Sequence, residues 1–146
     1  MRFALKQAEI AAEKDEVPIG AVIVHENKII AKAHNQVETL KDPTAHAEMI
    51  AITQAAGSLS MKWLHDCVLY VTLEPCSMCA GALVLSRIKR ICFAASDPKA
   101  GACGSVVNIV QNHRLNHQVE IAKNILNEES ASLLAGFFKK KRNISN

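Results

Sequence analysis

The sequence predicts an α/β protein built as a three-layer α/β/α sandwich around a five-stranded mixed sheet. Segments with helical periodicity alternate with short β-rich segments, and this alternation is typical of a sheet covered by helices on both faces. The chain has 146 residues, of which 49% are apolar, so it can bury one continuous core. We therefore expect one domain over residues 1–146.

In its first half the chain predicts a helix, a hairpin and a second helix. These elements cover residues 1–16, 21–25, 29–34 and 44–57. Pro18 and Gly20 end the first helix, and a short polar turn separates the two strands. Thr44 follows Pro43 and is the expected N-cap of the second helix, which we expect to end at Gly57.

In its second half the chain predicts three more strands and further helices. The expected order is a strand over 67–73, a helix over 75–86, a strand over 90–95, a loop over 96–104, a short helix over 105–111, a strand over 118–122 and a helix over 127–141. The first of these strands is apolar on both faces, as expected of a central strand. Pro75 suits the first position of the following helix, which places Cys76 and Cys79 one turn apart.

Four residues in two short motifs predict a zinc centre. Cys76 and Cys79 have ligand spacing, and His46 lies 30 positions before Cys76. Three protein ligands leave the fourth position of a tetrahedral zinc ion for water, as in catalytic sites. Glu48, two residues after His46, is then free to act as general acid and base. Together the two motifs match the signature of zinc-dependent nucleobase deaminases.

This arrangement predicts hydrolytic deamination with one zinc ion per subunit. We expect hydroxide on the metal to be the nucleophile and Glu48 to shuttle protons from the water to the base and to the leaving ammonia. The alternative is a structural zinc site whose fourth ligand is His65, His113 or His117. That alternative leaves Glu48 without a role.

Composition and cysteine usage indicate a cytoplasmic protein without a membrane segment. No apolar run approaches the roughly 20 residues that cross a bilayer, and the N-terminal residues show no secretory signal. Five cysteines are present. Those without ligand spacing lie in or beside apolar runs, which favours buried free thiols in a reducing compartment: Cys67, Cys92 and Cys103.

Positive charge is concentrated at the C-terminal end of the chain. The formal net charge is +3, and Lys139 to Arg142 form a run of four basic residues, so the rest of the chain is close to neutral. Such a run at the end of a helix is either a solvated terminus that suits the helix dipole or a contact for phosphate groups. Both possibilities remain open at this point.

Several segments, spread over nearly the whole chain, also match a known family. They are Val17–Val22, Asp42–Glu48, Leu69–Ala82, Ser86–Ile88 and Gly101–Ser105. In these segments the chain resembles the bacterial tRNA-specific adenosine deaminases of the cytidine deaminase superfamily. The resemblance implies a cytidine deaminase-like fold, conversion of adenosine to inosine at the first anticodon position of tRNA, binding of the anticodon stem-loop, and a homodimer.

The resemblance also implies roles for individual residues. His46, Cys76 and Cys79 would bind zinc, and Glu48 would carry protons. Asn35 would bind the flipped base, and four further residues would hold the neighbouring nucleotides: Asp97, Lys99, Asn116 and Phe138. Amide, carboxylate and aromatic groups suit contacts to a base edge, a ribose hydroxyl and a splayed base, respectively. In the absence of RNA contacts, Asn35 is a turn residue, Asp97 precedes Pro98, and Phe138 faces the core.

Two other functions are compatible with the same zinc chemistry or the same motif. The first is deamination of a free base or nucleoside such as guanine, cytosine or cytidine. The second is a non-catalytic, zinc-stabilised RNA-binding subunit, which would have no use for Glu48. The loop over 97–104 and the aromatic and basic residues over 137–142 favour an RNA substrate. Candidates for the dimer interface, and equally for the core, are Met49, Met78 and the apolar helix beginning at Cys76.

Overall fold

Five strands form one mixed sheet, with helices on both of its faces, in a computed structural model that describes all residues, 1–146. The elements are α1 (Arg2–Glu13), β1 (Gly20–His25), β2 (Lys28–His34), α2 (Val37–Leu40), α3 (Ala47–Leu59), β3 (Cys67–Leu73), α4 (Ser77–Leu85), β4 (Arg90–Ala95), β5 (Glu120–Lys123) and α5 (Asn127–Ser145). The predicted α/β/α sandwich with a five-stranded mixed sheet is confirmed.

In the strand order β2-β1-β3-β4-β5, four strands run in one direction and β1 runs in the other. β1 is antiparallel to β2 and β3, with Gly20 opposite His34 and Ala21 opposite Val71. β3, β4 and β5 are parallel. The carboxyl ends of β2, β3, β4 and β5 therefore lie at the same end of the sheet, with the amino end of β1 between those of β2 and β3, and this is the end where α/β sheets commonly build their binding crevices.

The main core lies between the sheet and the layer formed by α3 and α4. Strand residues on this face alternate with residues on the opposite face, as the pleat requires. The largest side chains of this core include Ile23, Leu69, Leu83, Ile91 and Phe93. α1 and α5 cover the opposite face and contact each other.

Two local features fix the first hairpin and its position against α1. Glu26 and Asn27 both have positive φ angles, 49° and 61°, which give the two-residue turn the twist that a hairpin needs. Gly20 lies directly against α1, where a Cβ would collide with the backbone of Ala4 and Ala8. A side chain at position 20 would therefore push α1 away from the sheet.

The predicted start of two helices is wrong by a few residues. Thr44 is not an N-cap, because its N–H and hydroxyl both donate to Asp42 Oδ1, at 2.8 and 2.7 Å, in a local turn. The N-cap of α3 is His46. Pro75 does not open α4, which begins at Ser77 with Cys76 as its N-cap.

Other boundaries also differ from the prediction. α1 ends at Glu13, and α3 continues past Gly57 to Leu59, where Ser60 adopts a left-handed conformation with φ 52°. The predicted short helix over 105–111 is absent, and an isolated bridge between Cys103 and Asn108 holds turns there. Near the C-terminus, β5 covers four residues and α5 extends to Ser145. The short helix α2 was not predicted.

The cysteine prediction is confirmed, since Cys67, Cys92 and Cys103 are buried and form no disulfide. Burial raises the pKa of each of these three thiols. None of the helices combines the length and the apolar character needed to span a bilayer.

Candidate active site

The candidate site lies where the carboxyl ends of β2, β3 and β4 meet the amino ends of α3 and α4. Asn35 follows β2, Glu74 to Cys76 follow β3, and Asp97 follows β4 by two residues. The two helices bring His46, Glu48 and Cys79 to the same place. The sheet topology thus collects side chains from three separate stretches of the chain.

His46, Cys76 and Cys79 converge on one point. The Nδ1 atom of His46 lies 3.7 Å from Cys76 Sγ and 3.6 Å from Cys79 Sγ, and the three donor atoms lie within 4.8 Å of one another. His46 and Cys76 are the N-caps of α3 and α4, yet neither side chain forms a capping hydrogen bond with the helix that follows it. Both side chains face the shared point instead, so the three residues can hold one metal ion.

The environment of the two cysteines favours a thiolate. The Cys79 thiol and His46 donate hydrogen bonds that lower the pKa of Cys76 to about 3. The pKa of Cys79 is raised by its hydrogen bond to Cys76 and by its burial. The amino ends of α3 and α4 both point at this cluster, and their partial positive charge stabilises negative charge there.

Glu48 is buried beside the cluster at the second position of α3. Its side chain is only 4% exposed, and burial raises the pKa of its carboxyl. His46 opposes this shift, because an adjacent imidazolium favours the carboxylate. A buried carboxyl with a raised pKa can both accept and donate a proton near neutral pH.

None of the histidines considered as a fourth ligand joins the cluster. His65 is exposed and lies edge-on to Trp63, with 5.8 Å between the ring centroids. His117 Nε2 contacts the carbonyl oxygen of Ile88 at 2.6 Å, and His113 is exposed. The group of possible ligands contains three residues only. The structure therefore gives no support to a closed, four-ligand site.

Asn35 is buried against the start of α3. Its Oδ1 atom accepts a hydrogen bond of 2.9 Å from the N–H of Ala47, the residue between His46 and Glu48. The side chain is held by its oxygen, so its amide nitrogen remains available as a donor. Asn35 is therefore more than a turn residue, because its side chain also stabilises the amino end of α3.

Asp97 and Lys99 lie at the start of the segment that follows β4, which we call the 96–105 loop. Asp97 is half-buried and Lys99 is exposed. Asp97 Oδ1 accepts hydrogen bonds from the N–H groups of Lys99, at 3.0 Å, and Ala100, at 3.2 Å. One carboxylate oxygen thus forms a turn, and the other makes no hydrogen bond within the chain.

Asn116 and Phe138 are both exposed, and no hydrogen bond joins either of them to the cluster. Asn116 lies in the connection between β4 and β5. Phe138 is 44% exposed on α5, with its ring edge-on to Phe137 at 5.5 Å. α5 packs against β3, β4 and α1. The expectation that Phe138 faces the core in the absence of RNA is wrong, because Phe137 takes the more buried position.

Two buried carboxylates near the site were not predicted from the sequence. Glu16 accepts hydrogen bonds from the N–H groups of Glu38 and Thr39 and from the Thr39 hydroxyl, which ties α2 to the end of α1. Glu74 accepts four hydrogen bonds from the 96–105 loop. Burial raises the pKa of each carboxyl, but these hydrogen bonds outweigh it, so both pKa values lie below the ordinary value. A glutamate at the end of an apolar strand is the only sequence signal for Glu74.

Comparison with known proteins places the chain in a family. Residues 1–142 match the MafB19-like deaminase family. The tRNA-specific adenosine deaminase of Aquifex aeolicus is 56% identical over 143 residues, which cover 98% of this chain and 94% of the relative.

Solved structures agree with this placement. One structure from work on A-to-I editing by tRNA:A34 deaminases superimposes with a TM-score of 0.88 at 42% identity, covering 92% of this chain and 97% of the other. The guanine deaminase of Nitrosomonas europaea has a TM-score of 0.80 at 21% identity, covering 93% of this chain and 81% of the other, and shows a shared fold only. The chain belongs to the MafB19-like deaminase family and, within it, to the tRNA-specific adenosine deaminases.

Proposed function

We propose that this protein converts adenosine to inosine by hydrolysis at the first anticodon position of tRNA. The observation that carries the proposal is the convergence of His46, Cys76 and Cys79 beside a buried Glu48. Family membership supports this substrate, since the Aquifex aeolicus relative, 94% of which is covered by the match, is a tRNA-specific adenosine deaminase. On this proposal residues 1–146 form one deaminase domain.

The donor set fits a single zinc ion. Two sulfur atoms and one imidazole nitrogen are ligands that zinc prefers. Zn–S and Zn–N bonds of about 2.3 and 2.1 Å at a tetrahedral angle separate sulfur and nitrogen by about 3.6 Å. The observed distances are 3.7 and 3.6 Å. Zinc bound by these three residues would act as a Lewis acid and make a water molecule more acidic.

Glu48 would carry the protons of the reaction. Hydrolysis of the C–N bond consumes one water and releases one ammonia, so protons move from the attacking water to the ring nitrogen and to the leaving amino group. Burial raises the pKa of Glu48, which makes its carboxyl a better base and keeps it able to donate. The amino end of α3 keeps the carboxylate form accessible.

Asn35 would orient the base, because its amide nitrogen is a donor without a partner within the chain and its oxygen is fixed at the start of α3. Asp97 has a carboxylate oxygen without an intramolecular partner, which suits a ribose hydroxyl. Lys99, Asn116 and Phe138 would contact the neighbouring nucleotides from the surface. The resemblance to the family supports these last three assignments, and the exposure of all three side chains is compatible with them.

We further propose that the enzyme is a cytoplasmic homodimer that contacts its partner through α4. This helix is apolar all round, yet only four of its residues are buried: Cys79, Ala80, Leu83 and Val84. Leu85 at its end is 79% exposed, and Trp63 nearby in the fold is 41% exposed. A helix that is apolar on all sides is usually covered. Sedimentation of Leu85→Asp against the wild-type protein would test this interface.

The test of function is a deamination assay on an anticodon stem-loop with adenosine at its first anticodon position. Free adenosine, guanine, cytosine and cytidine serve as parallel substrates. We expect the zinc-loaded protein to form inosine in the stem-loop and to leave the four small substrates unchanged. Turnover of a free base or nucleoside would replace this proposal with a salvage deaminase, and no turnover of any substrate would favour a non-catalytic subunit.

A further inference from the structure

Glu74 is a buried carboxylate outside the predicted set of catalytic and binding residues. It is only 2% exposed and immediately precedes Pro75 and Cys76. An ionised group is rarely buried unless hydrogen bonds replace its contacts with water. The donors that satisfy Glu74 all come from one place, the 96–105 loop.

Both oxygens of Glu74 bind this loop. Oε1 accepts from the N–H of Asp97 at 3.2 Å and from the Ser105 hydroxyl. Oε2 accepts from the N–H groups of Cys103 at 3.0 Å and Ser105 at 3.2 Å. The carboxylate therefore joins the first and the last part of the loop. Charge-assisted hydrogen bonds of this kind are about twice as strong as neutral ones.

The loop backbone also lies directly against the Glu74 carboxylate. At position 101 a Cβ would collide with Glu74 Oε2, so only glycine allows this close approach. The N–H of Ala102 donates to the carbonyl oxygen of Pro75 at 2.8 Å. Residues 74 and 75, next to the ligand Cys76, thus hold the loop on the same side of the sheet as the metal cluster.

Within the loop, Glu74 binds Asp97, the residue that has a free carboxylate oxygen. Glu74 accepts a hydrogen bond from the N–H of Asp97, while Asp97 Oδ1 accepts from the N–H groups of Lys99 and Ala100. With its backbone and one oxygen fixed, Asp97 has a defined direction for the remaining oxygen. A side chain that is already oriented in the free protein binds its ligand more tightly, because less conformational entropy is lost on binding.

We propose that Glu74 is a positioning residue that fixes the 96–105 loop for the nucleotides beside the target adenosine, and that it acts through Asp97. The proposal rests on the proposed function, since it assigns Asp97 to RNA binding. On this proposal Glu74 contributes to recognition of the RNA, whereas Glu48 acts in the chemical step.

Glu74→Gln is the most informative variant because it removes one acceptor and keeps the shape. An amide nitrogen in place of Oε2 would face two N–H donors, from Cys103 and Ser105. In place of Oε1 it would face one N–H donor, from Asp97, and a Ser105 hydroxyl that can turn to accept. The amide will therefore take the second orientation, and the N–H of Asp97 will lose its acceptor.

Hydrogen exchange of the zinc-loaded protein tests the contact itself, whatever the substrate. We expect Glu74→Gln to raise the exchange rate of the Asp97 amide at least tenfold, because an opened hydrogen bond exposes it to water. Amides of β1 and β3 should be unaffected. Ser105→Ala is the matched control, since it removes the hydroxyl only and should leave Asp97 protected. Gly101→Ala adds a Cβ that collides with Glu74 Oε2, so it should displace the loop and reproduce the effect of Glu74→Gln.

Steady-state kinetics on the anticodon stem-loop test the consequence for recognition. We expect Glu74→Gln to raise KM about tenfold and to change kcat by less than about threefold, with one zinc per chain retained. In an Asp97→Ala background the same substitution should have no further effect on KM, because coupled residues are not additive. A purely structural defect would instead lower zinc content or kcat.

Three results would overturn the proposal. The first is an unchanged exchange rate of the Asp97 amide in both Glu74→Gln and Gly101→Ala. The second is an unchanged KM in Glu74→Gln. The third is an equal rise in KM when Glu74→Gln is introduced into the wild-type and the Asp97→Ala backgrounds. Failure of the wild-type protein to deaminate the stem-loop is a different result, because it rejects the proposed function and with it the link to RNA, while hydrogen exchange still decides whether Glu74 holds the loop.

Discussion

Asn35 Oδ1 and the N–H of Ala47 are joined by a hydrogen bond of 2.9 Å that connects the end of β2 to the start of α3. Ala47 lies between His46 and Glu48, so the side chain expected to bind the base also holds the backbone that carries the ligand and the proton carrier. On the proposed function, substrate orientation and catalytic geometry would both depend on this one amide group, whose oxygen binds Ala47 and whose nitrogen has no partner within the chain.

Substitutions of Asn35 should separate these two roles. Asn35→Asp keeps an acceptor for Ala47 but loses the N–H donors, so we expect near-normal thermal stability and a kcat/KM reduced about tenfold to hundredfold. Asn35→Ala loses both roles and should also lower the free energy of unfolding by about 1–3 kcal/mol. Activity and urea unfolding measure the two effects. Wild-type activity in Asn35→Asp would exclude Asn35 from base binding.

Glu48→Gln should retain one zinc per chain and lose turnover by about 10²- to 10⁴-fold, because an amide cannot carry the proton. Metal analysis and single-turnover inosine formation are the measurements. Glu38→Gln is the control, since Glu38 is an exposed acid whose side chain pairs only with Lys41 at the surface, and it should behave as the wild-type protein. Near-normal turnover in Glu48→Gln would reject the assignment of the proton carrier.

Cys79→Ser and Cys103→Ser should differ sharply in metal content. Both thiols are buried, but only Cys79 belongs to the cluster with His46 and Cys76. We expect Cys79→Ser to lose most of its zinc on dialysis and Cys103→Ser to keep one zinc per chain. A chelator should then lower the melting temperature of Cys103→Ser and leave that of Cys79→Ser unchanged. Equal zinc content in the two variants would contradict the ligand set.

The stability of the protein in acid should depend in part on Glu16. Burial raises the pKa of this carboxyl, but hydrogen bonds from Thr39 and from the N–H of Glu38 lower it by more than burial raises it, so its pKa in the folded protein lies below its ordinary value of 4.5. The ionised form therefore stabilises the fold above about pH 4.5, and this contribution is lost as pH falls through the folded-state pKa.

Urea unfolding of the wild-type protein and Glu16→Gln over pH 7 to pH 3 measures this contribution. At pH 7 we expect the variant to be less stable by about 1–3 kcal/mol, because N–H donors of α2 lose an acceptor. The difference between the two proteins should shrink below pH 4.5. A difference that stays constant over the whole range would show that the charge of Glu16 does not contribute.

The basic residues at the C-terminus should not contribute equally to RNA binding. Lys141 Nζ lies 3.3 Å from Oδ1 of Asp15, which follows α1. Lys139 and Lys140, in contrast, are exposed and form no ion pair. We expect Lys139→Ala and Lys140→Ala each to reduce the slope of log affinity against log salt by about 1. Lys141→Ala should change the slope less. Equal slopes in all proteins would identify the run as a solvated helix end.

The sequence predicted the sheet and the cluster because both leave local signals. Alternation and β-branched residues mark the strands, and ligand spacing marks Cys76 and Cys79. The helix starts were missed because His46 and Cys76 are unusual N-caps, whose side chains face each other and form no capping hydrogen bond.

Glu74 and Glu16 were missed for a different reason. Their partners are backbone N–H groups 22 to 31 positions away in the chain, and such donors carry no sequence signal. Asn116 and Phe138 remain predictions from family resemblance, since each is exposed and makes no contact that would assign it a role.

The parallel pairing of β3 with β4 has a consequence for the order of events in folding. The β1–β2 hairpin is local and can form early, but β3 meets β4 only after the chain has closed a loop through α4, and such non-local pairing is slow. Glu74 acquires its hydrogen-bond partners only after that step, because they lie in the loop that follows β4. His46 leaves the ribosome 33 residues before Cys79, so a metal ion bound by His46, Cys76 and Cys79 would join two segments that are synthesised at different times.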